Sequence, residues 1–397
     1  MSSDDVIKEV YEHLGRPSER SLRALVKERQ EELEISERQM CRVIGISKPS
    51  LRRILSGEAQ KVDVLTLLKL SSFLQIDVEQ SIKSFVAGMK TDDVQDLEET
   101  RKKNFIVNHF DLPALREVGF IESITDFDAI SNRIRSFFEI DSVFEYNTDV
   151  AYALYSRTKR PSKNKMKEFW TRSAYCQFER RPNPNDFNKA RLKELLPQIS
   201  QYTRHVENGL LTVARALFEA GITVIFQPYL AGTQVRGGTF VVDKKPCIVI
   251  TDFNRDYATV WFALMHELGH VLYHLDKIRE MNYHLSGDGD LFLIEDEADY
   301  FARELLFPTK KLNHVEGFID NPHLVRRYAE KHKVHPTIIY SRFAYKQDTD
   351  ATWVRYQRHK LNPSEAVEAI RSHPWDKETI TAGIDDALSH LAKDTND

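Results

Sequence analysis

Residues 261–274 read WFALMHELGHVLYH. Trp261, Phe262, Leu264, Met265, Val271 and Leu272 make the stretch strongly apolar, so it is predicted to be a buried helix. His266, Glu267 and His270 stand within it. Residues four apart share a helix face about one turn apart, so both imidazoles can address one ion. Neutral imidazole suits zinc at about 2.0–2.1 Å. Glu267 lies beside the first ligand, where it reaches a water on such an ion rather than the ion itself. A zinc lowers the pKa of that water towards about 7, and a nearby carboxylate can take its proton and pass it to a leaving amine. A chance polar stripe is the bland alternative. It is disfavoured because two histidines and a carboxylate buried without partners are costly.

A tetrahedral catalytic site wants a third protein ligand. His274 lies eight residues from His266, about 12 Å along the axis at 1.5 Å per residue, and is read as supporting or packed. The pattern HExxHxxGxxH fails as well, because Tyr273 and Asp276 occupy its glycine and last histidine positions. The segment IEDEADYFARELLFP, 294–308, offers a second helix. Ala298, Phe301, Ala302, Leu305 and Leu306 follow helical spacing and face the core, and Glu297 immediately precedes Ala298. Glu297 is therefore expected to complete a His₂Glu set of the thermolysin kind. Glu295 and Asp296 are read as a favourable acidic helix start, a reading that could extend to Glu297 too.

Outward from these helices the pattern changes. Residues 222–226, 239–242 and 247–251 are β-branched or aromatic runs separated by Gly and Pro, and are predicted strands. Long helices are expected over 257–275 and over 295–306, the latter ended by Pro308. Residues 164–220 read as long helices broken by RRPNPND at 180–186, and 321–345 as short helices with a faint helix-turn-helix rhythm, taken as structural. The fold class is α+β.

The run ALFEAGITVIF, then ATVWFALMHELGHVLYH, then EDEADYFARELLFP resembles the ImmA/IrrE family of metallopeptidases over roughly residues 205–310. The resemblance implies a gluzincin-like domain with a small sheet, the HExxH helix and a second ligand-bearing helix. It also implies that the glutamate before the alanine of the second block, Glu297 here, is the third ligand. Family members typically cleave a partner repressor or antitoxin. Thermolysin-like enzymes often carry an aspartate four residues after the ligand glutamate; counted from Glu297 that position is Phe301. For the group that stabilises the oxyanion, Tyr273, Tyr283, His284 and Tyr300 are all open.

The segment ISERQMCRVIGISKPSLRRILSGEAQKVDVLTLLKLSSFLQID, 35–77, resembles the Cro/C1-type (XRE) helix-turn-helix. A short helix, a glycine turn and a second helix suit insertion into the major groove. Leu51 and Ile54 would be core, leaving Ser47, Lys48, Ser50, Arg52 and Arg53 outward as candidate DNA contacts. Lys/Arg and Asp/Glu nearly balance over residues 1–90, so a scaffold for protein contacts is the competing reading.

The boundaries expected are a helix-turn-helix domain over 1–88, a helical linker region over 89–163, the peptidase domain over 164–345 and a helical tail over 346–397. A net charge of −4 excludes a polycation coating nucleic acid, so DNA contact must be local. Three scattered cysteines, Cys41, Cys176 and Cys247, argue against a disulfide framework. No apolar run approaches the roughly 20 residues that span a bilayer, and MSSDDVIKEV lacks a signal-peptide pattern. The expected location is the cytoplasm. The expected function is a DNA-binding, zinc-dependent metalloendopeptidase cutting a helix-turn-helix repressor or antitoxin. Mn²⁺ is the other metal considered, and a homodimer is an allowed assembly. The alternative is a non-proteolytic regulator or antitoxin of a toxin–antitoxin or phage-defence module, whose metal domain binds or senses a partner.

Overall fold

A computed structural model describes residues 20–59, 61–89, 91–147, 164–286 and 292–370. The chain divides into two compact units, Met1–Ile106 and Val107–Asp397.

The first unit contains α1 (Leu22–Glu32), α2 (Glu37–Ile44), α3 (Lys48–Leu55), α4 (Val64–Leu74) and α5 (Val78–Val86). Each starts on a side chain that accepts a hydrogen bond from its first turn: Ser21, Ser36, Ser47, Asp63 and Asp77. Ser36 and Gln39 close a reciprocal capping box. Gly45 ends α2 at φ 71°, a left-handed turn that favours glycine. The turn brings α3 round so that Leu51 and Ile54 join Met40, Ile44, Leu22 and Val26 in one core, as the sequence leads one to expect. Helix α6 (Thr91–His109) follows.

In the second unit come α7 (Leu112–Glu117), α8 (Phe127–Phe138) and α9 (Lys165–Glu179). Phe110, Phe120, Phe137 and Tyr146 form edge and tilted ring contacts that reach Phe169 of α9. Residues 107–147 thus pack within this unit, and the two compact units divide after Ile106. Helices α10 (Lys189–Ile199) and α11 (Gly209–Glu219) lead to the sheet.

The sheet has four strands in the order β1-β3-β2-β4: β1 Thr223–Phe226, β2 Gly237–Val242, β3 Lys245–Ile250 and β4 Tyr283–Leu285. β1 runs parallel to β3, and β2 is antiparallel to both β3 and β4. β4 is only three residues long, too short for alternation to announce it. Between β3 and β4 lie α12 (Tyr257–Tyr273) and α13 (Leu275–Met281). Leu264, Met265, Leu268 and Val271 of α12 are fully buried against the sheet and the following helix. Each such side chain contributes roughly 1.5–3 kcal/mol, so the helix that carries the histidines is firmly held.

After β4 come α14 (Phe292–Leu306), α15 (Thr309–Val315), α16 (Pro322–Lys331), α17 (Pro336–Gln347), α18 (Asp350–Gln357) and α19 (Ser364–Ile370). Residues 350–370 pack on the domain rather than trailing from it: Tyr356, Ala366, Val367 and Ile370 are buried in its core. Tyr356 donates its hydroxyl to Asp256, the residue that caps α12, at 2.7 Å. Residues 371–397 of the expected helical tail lie outside the described residues, as do 1–19 of the N-terminal domain and 148–163. Among the described residues no helix is long and apolar enough to cross a membrane.

Candidate metal centre

Two helices build the centre. α12 supplies His266, Glu267 and His270, and α14 crosses it closely enough to lay a carboxylate beside both imidazoles. Gly269 permits the approach. A Cβ at that position would stand 3.2 Å from Ala298 Cα and 3.1 Å from Phe301 Cδ1. A side chain at the HELGH glycine would oblige α14 to give by a few tenths of an ångström.

His270 Nε2 lies 3.0 Å from His266 Nε2 and 3.1 Å from Glu295 Oε1, and His266 Nε2 lies 3.6 Å from the same oxygen. Donor atoms around a tetrahedral zinc with bonds of 2.0–2.2 Å stand roughly 3.3 Å apart. His266, His270 and Glu295 form the group able to hold an ion among the described residues.

The backing of each imidazole decides which nitrogen faces inward. His266 donates Nδ1–H to Asp299 Oδ1 at 2.8 Å. His274 donates Nε2–H to Glu297 Oε2 at 2.8 Å, leaving its Nδ1 to accept from His270 Nδ1–H at 3.1 Å. With those protons assigned from the network, His270 Nε2 is a bare lone pair facing a carboxylate oxygen. Two acceptors 3.1 Å apart repel unless a cation lies between or beside them. In the metal-free protein that cation is a proton on His266. Burial opposes the charge, but the carboxylates of Asp299 and Glu295 raise the imidazole to about 10. Burial instead pushes His270 down, against the pull of Glu295. Burial also works against ionised Glu295, yet the imidazoles of His266 and His284 hold its carboxyl far below the usual carboxylate range. The donor set thus fits a divalent ion, with both imidazoles oriented from behind as metal-ligating histidines are.

The expected ligand Glu297 is corrected by this geometry. Its carboxylate bonds His274 and its side chain is 69% exposed, whereas Glu295 is 20% exposed and inside the cluster. Helix phase explains the difference. At about 100° per residue, Glu295 falls about 20° from the buried Ala302 and Glu297 about 140° away. Adjacency to Ala298 was the misleading cue. Counted from Glu295, the aspartate position four residues on is Asp299, so the departure inferred at Phe301 vanishes. His274 is a supporting residue, as distance along the helix had implied.

Glu267 is fully buried. Its Oε2 accepts from Thr239 at 2.7 Å and its Oε1 accepts from Ser286. A Cβ at Gly237 would stand 2.8 Å from Oε1, so β2 needs glycine where it passes this carboxylate. His284 of β4 donates Nε2–H to Glu295 Oε1 at 2.6 Å and is buried. Of the oxyanion candidates it is the one placed within the cluster; Tyr273 and Tyr300 are exposed. Thr239, Ser286 and Asp299 carried no signal of their own in the sequence, beyond Asp299 following Glu295 by one helical turn.

In the first unit, all five candidate DNA-contact residues are exposed. Ser47 caps α3, accepting from Ser50 N at 3.2 Å. Glu37 of α2 takes Arg52 in a two-pronged pair at 2.8 and 3.0 Å and Lys48 at 2.7 Å. Those two cations hold the Glu37 carboxyl down at about 2. Arg53 stands outside this pairing.

Residues 25–80 match the helix-turn-helix family, and residues 219–343 match the IrrE N-terminal-like domain of peptidase family M78. No match is found among curated proteins or solved structures. The chain thus carries a segment similar to helix-turn-helix domains followed by one similar to the IrrE N-terminal-like domain.

Proposed function

We propose that this protein is a DNA-binding regulator whose second unit is a zinc-dependent endopeptidase. Its substrate would be a helix-turn-helix repressor or antitoxin-like protein, and its output a change in transcription. The observation that carries the reading is the convergence of His266 Nε2, His270 Nε2 and Glu295 Oε1 at 3.0–3.6 Å. These residues would hold the metal. When bound, zinc or manganese supplies Lewis-acid chemistry, polarising a carbonyl and acidifying a water molecule. Glu267 takes the proton of the attacking water and delivers it to the leaving amine. Thr239 and Ser286 hold that carboxylate in place, and His284 steadies Glu295 through its Nε2–H.

One observation favours a second reading, a regulator or antitoxin that binds or senses a partner without turnover. Both Glu267 oxygens already accept a protein hydroxyl, which lowers the basicity of a general base. Glu267→Gln separates the two. On the peptidase reading it keeps metal and DNA binding, abolishes cleavage and changes the regulatory output. An unchanged output with this variant eliminates the peptidase reading. Less than about half an equivalent of divalent metal in the purified chain counts against the centre itself.

A further inference from the structure

Beside the metal centre lies a small cavity of about 30 Å³, lined by Arg236, Arg303, Arg342, Asp299, Phe262 and Tyr345. Its wall is cationic. Asp299, the carboxylate in the lining, is committed to His266 Nδ1 at 2.8 Å and meets Arg303 only at 3.5 Å. Glu304, the other acid acting on Arg342, accepts from Thr309 N at 3.0 Å and from the Thr309 hydroxyl. Arg342 is 6% exposed and donates to Phe307 O at 3.3 Å, a neutral acceptor. Burial and the neighbouring Arg303 depress its guanidinium to about 10. Arg236 lies over the Phe253 ring at 5.4 Å and near Tyr345, where burial pushes the phenol up against the pull of Arg236.

Three guanidiniums around a small space share one carboxylate, Asp299, which pairs with Arg303 at 3.5 Å and also serves His266; the remaining positive charge is unfavourable. An anion removes the penalty, and a planar guanidinium fork matches a carboxylate. A space of this size takes one or two water-sized groups, which is the bulk of a carboxylate's oxygens. Asp299 joins the two places, one oxygen on His266 and the other towards Arg303.

We propose that this cavity is a subsite for a peptide carboxylate, either an acidic side chain or a chain end, next to the bond that is cut. The inference rests on the peptidase reading for its peptide ligand. Its test uses neither metal nor turnover, so the two can fail separately.

The experiment is arginine Nε–Hε NMR on the full chain, with signals assigned through Arg303→Gln and Arg236→Gln. Both residues are at least partly exposed, so the variants are expected to fold. Acetate is expected to shift the Arg303 and Arg342 signals while acetamide, its neutral isostere, leaves them in place. Arg303→Gln is expected to weaken acetate at least tenfold. Two acetylated peptides then distinguish the sources: one amide-capped with an internal Glu, one neutral with a free C-terminal carboxylate. A shift by either supports the subsite and names the group. Equal effects of acetate and acetamide, acetate binding undiminished in Arg303→Gln, or no shift with either peptide overturns it.

Discussion

Gly269 of α12 lies against Ala298 of α14 with room for a hydrogen and no more: a Cβ would meet Ala298 Cα at 3.2 Å. One turn before Ala298 stands Glu295, whose oxygen is 3.1 Å from His270 Nε2. The separation of the two helices therefore sets the size of the metal centre. Gly269→Ala gains up to about 1 kcal/mol of helix propensity, yet must push α14 outward by a few tenths of an ångström. We predict a melting temperature within a few degrees of wild type and a zinc affinity at least tenfold weaker, measured by competition with a chromophoric chelator. Unchanged affinity would show that α14 gives way without moving Glu295.

Glu295 and Glu297 should separate cleanly by substitution. Glu295→Gln removes a charged donor and is predicted to weaken zinc by more than 100-fold. Glu297→Gln touches only the hydrogen bond behind His274, where supporting residues contribute about 10–100-fold. Because Glu297 is 69% exposed, the lower end or less is expected. Equal losses, or the reverse order, would restore Glu297 as the ligand.

The proton on His266 makes the metal-free protein sensitive to pH. Its folded pKa of about 10 lies above the ordinary value of 6.5. The resulting stability is fully present below about pH 6.5 and is lost as pH rises through 10. A metal must displace that proton, so zinc affinity is predicted to increase across the same window. Asp299→Asn removes the carboxylate that retains the proton. It should flatten the pH dependence of the chelator-treated protein's melting temperature, and an unaltered slope would assign the proton elsewhere.

In the helix-turn-helix unit, Glu37 pairs with both Lys48 and Arg52. Glu37→Gln frees both and removes a negative charge from the same face. We predict tighter binding to non-specific duplex, with the slope of log affinity against log salt steeper by about 1–2. No change in slope would mean that Lys48 and Arg52 do not meet the backbone.

Tyr356→Phe tests how far residues 350–370 stabilise the second unit. It strips a buried donor from the Asp256 carboxylate, whose other oxygen already lacks a partner. A loss of about 1–3 kcal/mol is expected in chemical denaturation. An unaffected midpoint would make that segment dispensable.

Much of this was legible in the residues. The apolar wrap of 261–272 announced the buried helix, and the four-residue spacing of His266 and His270 put both on one face. Serines, aspartates and glycines punctuated the first unit well enough to place Leu51 and Ile54 inside. The acid of the second helix was misread because position relative to one alanine was weighed instead of phase around the whole helix. Thr239 and Ser286 could not be read at all. They reach Glu267 through strand pairing between residues far apart in sequence, and a three-residue strand such as β4 has no periodicity. The packed segment 350–370 was hidden by its polar composition, which outweighs the few residues it buries, Tyr356, Ala366, Val367 and Ile370.

The two inward imidazoles are not twins. His266 leans on the carboxylate of Asp299; His270 leans on the ring of His274, whose own support, Glu297, faces water. The grip on an ion is therefore lopsided, strong at one end and adjustable at the other. Loading and release are expected to proceed by letting go at His270 first. A surface event as slight as a lysine approaching Glu297 would loosen the same end, which exchange rates compared between wild type and Glu297→Lys would register.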